Sequence, residues 1–208
     1  MRPLCSSPIF SRTLVAALLV LVGGLGGCAT GAQRAAHHTV RVNATAQAPV
    51  QPGKAFVIVA AEPKNESTLL YSDAARFVKG ALETKGLYQA PRADRADVIV
   101  EIEYAMAAPR AGGRREPAMV VGDDDMLRVP LEKSLVLTAR EARSTDGLPP
   151  RSLWRVELSA TDASNDLRKY LPLLATAAIE RMGVDSGGEQ TVVVNETDKT
   201  VTLLKRSR

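Results

Sequence analysis

The chain is poor in cysteine, histidine and aromatic residues. Its 208 residues hold two cysteines, two histidines and 4% aromatics. The cysteines are Cys5 and Cys28, both near the amino terminus. No cysteine follows residue 28, so the body of the chain has no intramolecular disulfide and folds by burial alone. The histidines are adjacent, His37 and His38. A Ser-His or Cys-His nucleophile is therefore hard to build. There is no glycine-rich phosphate loop, no nucleophile elbow and no zinc-binding His-Glu helix motif. Internal repeats are also missing. With so few aromatic residues, Val, Leu, Ile and Ala must make the core.

The most informative stretch is the apolar run from Leu14 to Gly26, preceded by Arg2 and Arg12 and followed by Gly27-Cys28. Thirteen residues are too few for a stable transmembrane helix, which needs roughly 20. A basic start, a short apolar middle and small residues at the end are the features of a cleaved export signal. Leu25-Gly26-Gly27-Cys28 resembles the lipobox of bacterial lipoproteins. That resemblance implies diacylglyceryl on the Cys28 sulfur, cleavage before Cys28 and acylation of the new amino group. The alternative is an ordinary secretory signal or an uncleaved anchor, with Cys28 incidental. Two or more acyl chains anchor a protein stably without a transmembrane helix. Ala29 follows the cysteine where enteric inner-membrane lipoproteins carry aspartate. The expected location is thus the outer membrane, on its periplasmic face.

The formal net charge is +4, and Arg2 and Arg12 account for half of it. The basicity of the precursor is in part its export signal, and no nucleic-acid-binding face is implied. The expected layout is a signal peptide over 1–27, a lipidated tether over 28–53 and a periplasmic domain over 54–208. Alternation at Thr39–Ala44 predicts a first strand within the tether. The His37-His38 pair is read as exposed there, with no Cys, Asp or Glu close in sequence to complete a metal site.

Ala55–Ala60 reads as a buried strand. A helix follows over about 67–85, stopped by Gly86, with Leu70, Ala74, Phe77, Val78, Ala81 and Leu82 on one stripe. Arg76, Lys79 and Glu83 fall opposite, as a solvated face. The clearest strand is 96–104. Val98, Val100, Ile102 and Tyr104 face one way, and Asp97, Ile99, Glu101 and Glu103 the other. Two carboxylates at i and i+2 can do acid-base work, or can simply be the wet face of a one-sided sheet. A loop over 108–130 has a basic half, Arg110, Arg114 and Arg115, and an acidic half, Asp123 to Asp125. Three consecutive aspartates do not match a calcium loop.

Ser134–Arg140 and Leu153–Ala160 are two further strands. They are joined by a connection containing Asp146-Gly147 and Pro149-Pro150. Trp154 is phased inward, as core, with a ligand platform as the alternative. A second helix spans about 165–182 and ends at Gly183. Ser164 or Asn165 can cap it, and Pro172 predicts a kink or restart. Gln190–Asn195 and Thr200–Lys205 read as a terminal hairpin on β-branched content.

The predicted class is α+β, a mostly antiparallel sheet with two helices packed on one face, behind the signal peptide and tether. Leu82-Glu83-Thr84-Lys85-Gly86, Ala96-Asp97-Val98-Ile99-Val100 and Leu153-Trp154-Arg155 resemble the bacterial lipoprotein family called domain of unknown function 4136. In outline the order of elements is also similar to the amino-terminal domain of the Tol-system propeller protein, and to outer-membrane activators of peptidoglycan synthases. The family resemblance implies no catalytic residues, and Cys28 is the one site residue predicted. No cofactor or metal is expected. The expected function is non-catalytic binding of an envelope protein or peptidoglycan. The alternatives are a carboxylate-dependent peptidoglycan hydrolase using Glu101 or Glu103, and a lipid carrier.

Overall fold

A computed structural model describes residues 36–108, 130–143 and 149–206. The signal peptide, Cys28, residues 109–129 of the long loop and the turn at 144–148 lie outside the described residues. Among the described residues are seven strands and three α-helices: β1 (His37–Ala46), β2 (Ala55–Ala60), α1 (Leu69–Thr84), β3 (Tyr88–Gln89), β4 (Val98–Ala107), β5 (Leu131–Glu141), β6 (Ser152–Asp162), α2 (Leu167–Ile179), β7 (Gln190–Asn195) and α3 (Lys199–Arg206).

One sheet holds all seven strands in the order β3-β2-β4-β5-β6-β1-β7. The fold is α+β, and the sheet is mixed. β2 runs parallel to both β3 and β4, while β4-β5, β5-β6, β6-β1 and β1-β7 are antiparallel. The parallel pair arises because α1 carries the chain from the end of β2 back to the start of β4, which a tight hairpin cannot do. The strand predicted inside the tether is β1. It extends from His37 and sits between β6 and β7 rather than at an edge.

Burial alternates along the strands and defines two faces. Val40, Val42, Val100, Ile102, Leu135, Leu137, Trp154, Val156 and Leu158 are buried beneath the helices. Arg41, Glu101, Glu103, Thr138, Arg140, Arg155 and Glu157 occupy the opposite, open face. α1 buries Ala74, Phe77, Val78, Ala81 and Leu82, the stripe read from the sequence. Thr68 caps it, its side chain accepting from Tyr71 N. α2 buries Leu167, Tyr170, Leu171 and Leu174 among others, and its cap is Asp166 rather than Ser164 or Asn165. Asp166 holds extended backbone while its carboxylate accepts from Arg168 N. Pro172 lies inside α2 as a single continuous element, so no restart occurs there.

The tail departs from expectation. β7 forms and pairs with β1, but the second predicted strand is the helix α3. Its β-branched residues favour a strand in isolation. Burial decides otherwise, because Val201 and Leu204 are three apart and both turn into the core while Leu203 stays exposed. Three helices, not two, therefore cover the sheet, with α3 against α2 and α1.

Candidate functional site: a cleft at one end of the sheet

The ends of the sheet have different chemistry. At the end where β1 finishes and β2 begins lies a cleft of about 310 Å³. Trp154, Leu87, Val98 and Leu153 form its apolar floor. Lys54, Asp97, Glu141, Arg143 and Arg151 stand at its rim. Its wall is the segment Ala48–Gln51.

The backbone explains how the cleft forms. The β5-β6 register slips between Ala139 and Arg140, which pair with Trp154 and Ser152. Leu153 is left out of that ladder, and its carbonyl accepts instead from Gln47 N (2.8 Å) and Ala48 N (3.2 Å). This bulge turns the chain after β1 across the sheet end. Gly183, at φ 73°, permits the close approach of that segment. A Cβ on Gly183 would meet Val50 N at 2.3 Å. A second tie runs from Gly53 N to Gly86 O at 2.8 Å.

The rim groups differ in how far they are already engaged. Asp97 Oδ2 accepts from Ala55 N at 2.9 Å, so its carboxylate holds the start of β2. Arg143 donates to Asp94 O at 3.1 Å, and Arg151 to Gln47 O at 3.5 Å. Lys54 makes no ion pair among the described residues and is exposed. The cleft thus offers an aromatic floor beside cations with donors to spare. Trp154 is 3% exposed, so it is core and cleft floor together.

Glu101 and Glu103 do lie together on the open face, as their spacing predicts. Glu101 is held by Arg140 at 2.7 Å. Around them Arg155 pairs with Glu157 at 2.8 Å and Arg41 with Glu132 at 2.5 Å. Glu103 has no ion pair among the described residues and borders a depression of about 400 Å³. This is a salt-bridged wet face, in which Glu101 is occupied by a guanidinium.

Sequence reasoning missed a buried polar cluster at the other end of the sheet. Lys133 is wholly buried. Its Nζ donates to Asp162 O (2.6 Å) and Leu131 O (3.1 Å) and lies 4.8 Å from the centre of the Tyr170 ring. Burial lowers the Lys133 pKa, and Asp162 opposes that shift. The Tyr170 pKa is raised, by burial first and then by Asp162. Its hydroxyl makes no hydrogen bond of good geometry among the described residues, although the Asp162 carboxylate is near enough to interact with it. His38 packs edge-on against Tyr170 at 5.3 Å, and its Nε2 is 2.8 Å from Glu196 Oε1. That contact is the main reason the Glu196 pKa is lowered.

His38 is therefore part-buried in the sheet rather than exposed in a tether. His37 and His38 also point to opposite faces of β1, so they cannot chelate one ion together. Among the described residues no three potential ligands gather for a metal. The signal for this cluster was parity. Lys133 shares its phase with Leu135 and Leu137, and His38 with Val40 and Val42.

The architecture defines a two-layer α+β domain with one open sheet face. No protein-family model and no curated protein matches the sequence. Solved structures do resemble it. A DUF4136 family protein from Bacteroides thetaiotaomicron has TM-score 0.39 and 11% identity, over 68% of this chain and 98% of that one. A PelC dodecamer from Paraburkholderia phytofirmans has TM-score 0.42 and 10% identity, over 71% of this chain and 99% of that one. A PDZ domain protein from Parabacteroides distasonis has TM-score 0.43 and 15% identity, over 77% of this chain. This chain spans 40% of the length of the PDZ domain protein.

Proposed function

We propose that the chain is a lipid-anchored envelope protein whose domain binds a partner without chemistry, through the cleft floored by Trp154. The observation that carries this reading is the cleft itself. It joins apolar surface to a charged rim on which Lys54 makes no ion pair among the described residues. An extended peptide presenting an apolar side chain next to a carboxylate fits that chemistry. We take the occupant to be a segment of an envelope protein. The anchor reading comes from Leu25-Gly26-Gly27-Cys28. It places lipid on Cys28 and the domain at the periplasmic face of the outer membrane.

Photo-crosslinking in intact cells tests the cleft. A photoreactive side chain at position 54 is expected to capture a discrete envelope protein, and one at position 103, on the open face, is not. Equal capture from both positions would remove the cleft from the proposal. A zymogram of the purified protein on peptidoglycan is expected to be blank. A clear band that disappears in a Glu101→Gln, Glu103→Gln variant would replace binding with hydrolysis. The mass of the amino-terminal peptide from membranes tests the anchor. A peptide beginning at Cys28 and bearing acyl chains is expected.

A further inference from the structure

The sheet has two edges, and they are built differently. β3 closes one edge with two residues, and a strand that short offers a neighbour little to pair with. β7 forms the other edge over six residues, Gln190–Asn195. It holds no proline and no charged side chain, the usual guards of an exposed edge. Val193 pairs with Thr39 and is 59% exposed on the open face. Val192 pairs with Val40 and is half-buried on the helix side.

Backbone parity shows which groups of β7 are spare. Glu196 N donates to Ala36 O at 3.2 Å, a bonded pair just past the end of the β1-β7 ladder. Bonded pairs recur at every second residue of an antiparallel ladder. Val194, Val192 and Gln190 therefore turn their N–H and C=O groups to β1. Thr191, Val193 and Asn195 turn theirs outward. Asn195 obeys this parity. Its N–H donates to Asp198 Oδ2 at 3.2 Å, and its carbonyl accepts from Asp198 N at 3.1 Å. The outward groups of Thr191 and Val193 have no such cover among the described residues.

We infer that β7 pairs with β7 of a second copy of this chain, antiparallel about a two-fold axis at Val192. The spare groups dictate that register. Thr191 N–H donates to the carbonyl of the partner's Val193, and Val193 N–H to the carbonyl of the partner's Thr191. The axis repeats both bonds, so every spare edge group is satisfied. Thr191 and the partner's Val193 then form a β-branched cross-strand pair on the open face. On the helix side the axis brings Val192 against the partner's Val192. A depression of about 540 Å³ lies there beside β7, with Glu180, Arg181, Asp198 and Lys199 in its lining. Two acids and two bases leave no net charge, so this surface can meet itself without net repulsion. An isologous contact needs that self-complementarity. A strongly acidic or basic peptide would find no field to recognise. The pairing uses neither the cleft nor Cys28.

Single cysteines at the edge of the whole chain test the register. The two Val192 positions would form a non-bonded pair about 4.5 Å apart at Cα, within reach of a disulfide. The two Val193 positions would be diagonal neighbours at about 7–8 Å, too far for one. After mild oxidation, Val192→Cys is expected to give a peptide linked to its own copy through position 192. Mass spectrometry reads that peptide apart from Cys5 and Cys28. Val193→Cys should link about tenfold less, although its site is the more exposed. Random collision favours position 193, so equal or greater linkage there overturns the inference. Val193→Pro is the second variant. Its nitrogen faces outward, so the change spares the β1 ladder but removes two of the four bonds between copies. Sedimentation of the whole chain in mild detergent should show a dimer for the parent. Val193→Pro should associate about tenfold more weakly or worse, with an unchanged far-UV circular dichroism spectrum. A parent that stays monomeric at every concentration overturns the inference, and so does a Val193→Pro dimer as tight as the parent's. Linkage of position 192 to a different protein, with the parent monomeric, would assign the edge to a foreign strand and overturn it too.

Discussion

Tyr170 is the residue whose environment is most at odds with its chemistry. Its ring is buried between Lys133 and His38, yet its hydroxyl makes no hydrogen bond of good geometry among the described residues and has only the nearby Asp162 carboxylate to interact with. A buried hydroxyl that is poorly bonded gains little over its own desolvation, so its removal costs little. Tyr170→Phe is therefore expected to change stability by less than about 1 kcal/mol, or to raise it. Tyr170→Ala should lose about 3–5 kcal/mol through the cavity left behind. Thermal or urea unfolding distinguishes the two, and a large loss in the phenylalanine variant would mean that the hydroxyl is bonded. Glu196 supplies a test in pH. Its folded-state pKa lies below the ordinary 4.5, with His38 as the main cause. A depressed carboxylate contributes stability that is complete above its unfolded pKa and is lost as pH falls through its folded one. Glu196→Gln should thus be less stable at neutral pH by under about 1 kcal/mol, since the pair is partly solvated. The gap to the parent should close as pH drops below 4.5. A gap of constant size across that range would show that the ion pair is not its source.

At the scale of elements, the segment after β1 and the end of α2 form one unit. α2 ends at Ile179 with Glu180 as its cap, short of the predicted stop at Gly183. Gly183 instead sits in the following turn in the left-handed region and lets Val50 approach its backbone. Gly187 has a similar φ, 65°, but nothing within 4 Å of a Cβ. Both lose the left-handed preference of glycine when changed to alanine, about 1–2 kcal/mol. Only Gly183→Ala also collides with backbone. It should cost measurably more than Gly187→Ala, and it should displace the wall of the cleft. The fluorescence of Trp154, the sole tryptophan, reports that displacement. Equal unfolding free energies for the two variants would show that the contact at Gly183 is relieved cheaply. β7 and α3 show how context sets an element. Both stretches are rich in β-branched residues, but only β7 has a strand to pair with, while α3 has an apolar pair spaced for a helix.

At the scale of the molecule, chemistry is partitioned. The open sheet face carries paired charges, the helix layer gathers Arg76 and Arg168 around Asp73, and the cleft lies at the end of the sheet away from the start of β1. No described helix is long and apolar enough to cross a membrane. Attachment in the proposed function comes from Cys28, and Cys28→Ser is expected to release the protein from the lipid-anchored fraction. Retention of the variant by detergent-resistant acylation elsewhere, seen by mass spectrometry, would move the anchor off that residue.

Much of the domain was legible in one dimension. Alternation marks β1, β4, β5 and β6, and the apolar stripes mark α1 and α2, because local backbone periods dictate which side chains share a face. Lys133 and His38 were legible in phase but lie just before the stretches whose alternation is strongest. Other features depend on tertiary structure. The parallel pairing of β2 with β4, the insertion of β1 between β6 and β7, the helical form of 199–206 and the cleft all join residues far apart in the chain. Sequence alone determined which surfaces of each element are apolar, since that follows from residue order and backbone geometry. Which surfaces meet was decided by packing, because burying those faces together selects one arrangement of elements that no single element specifies.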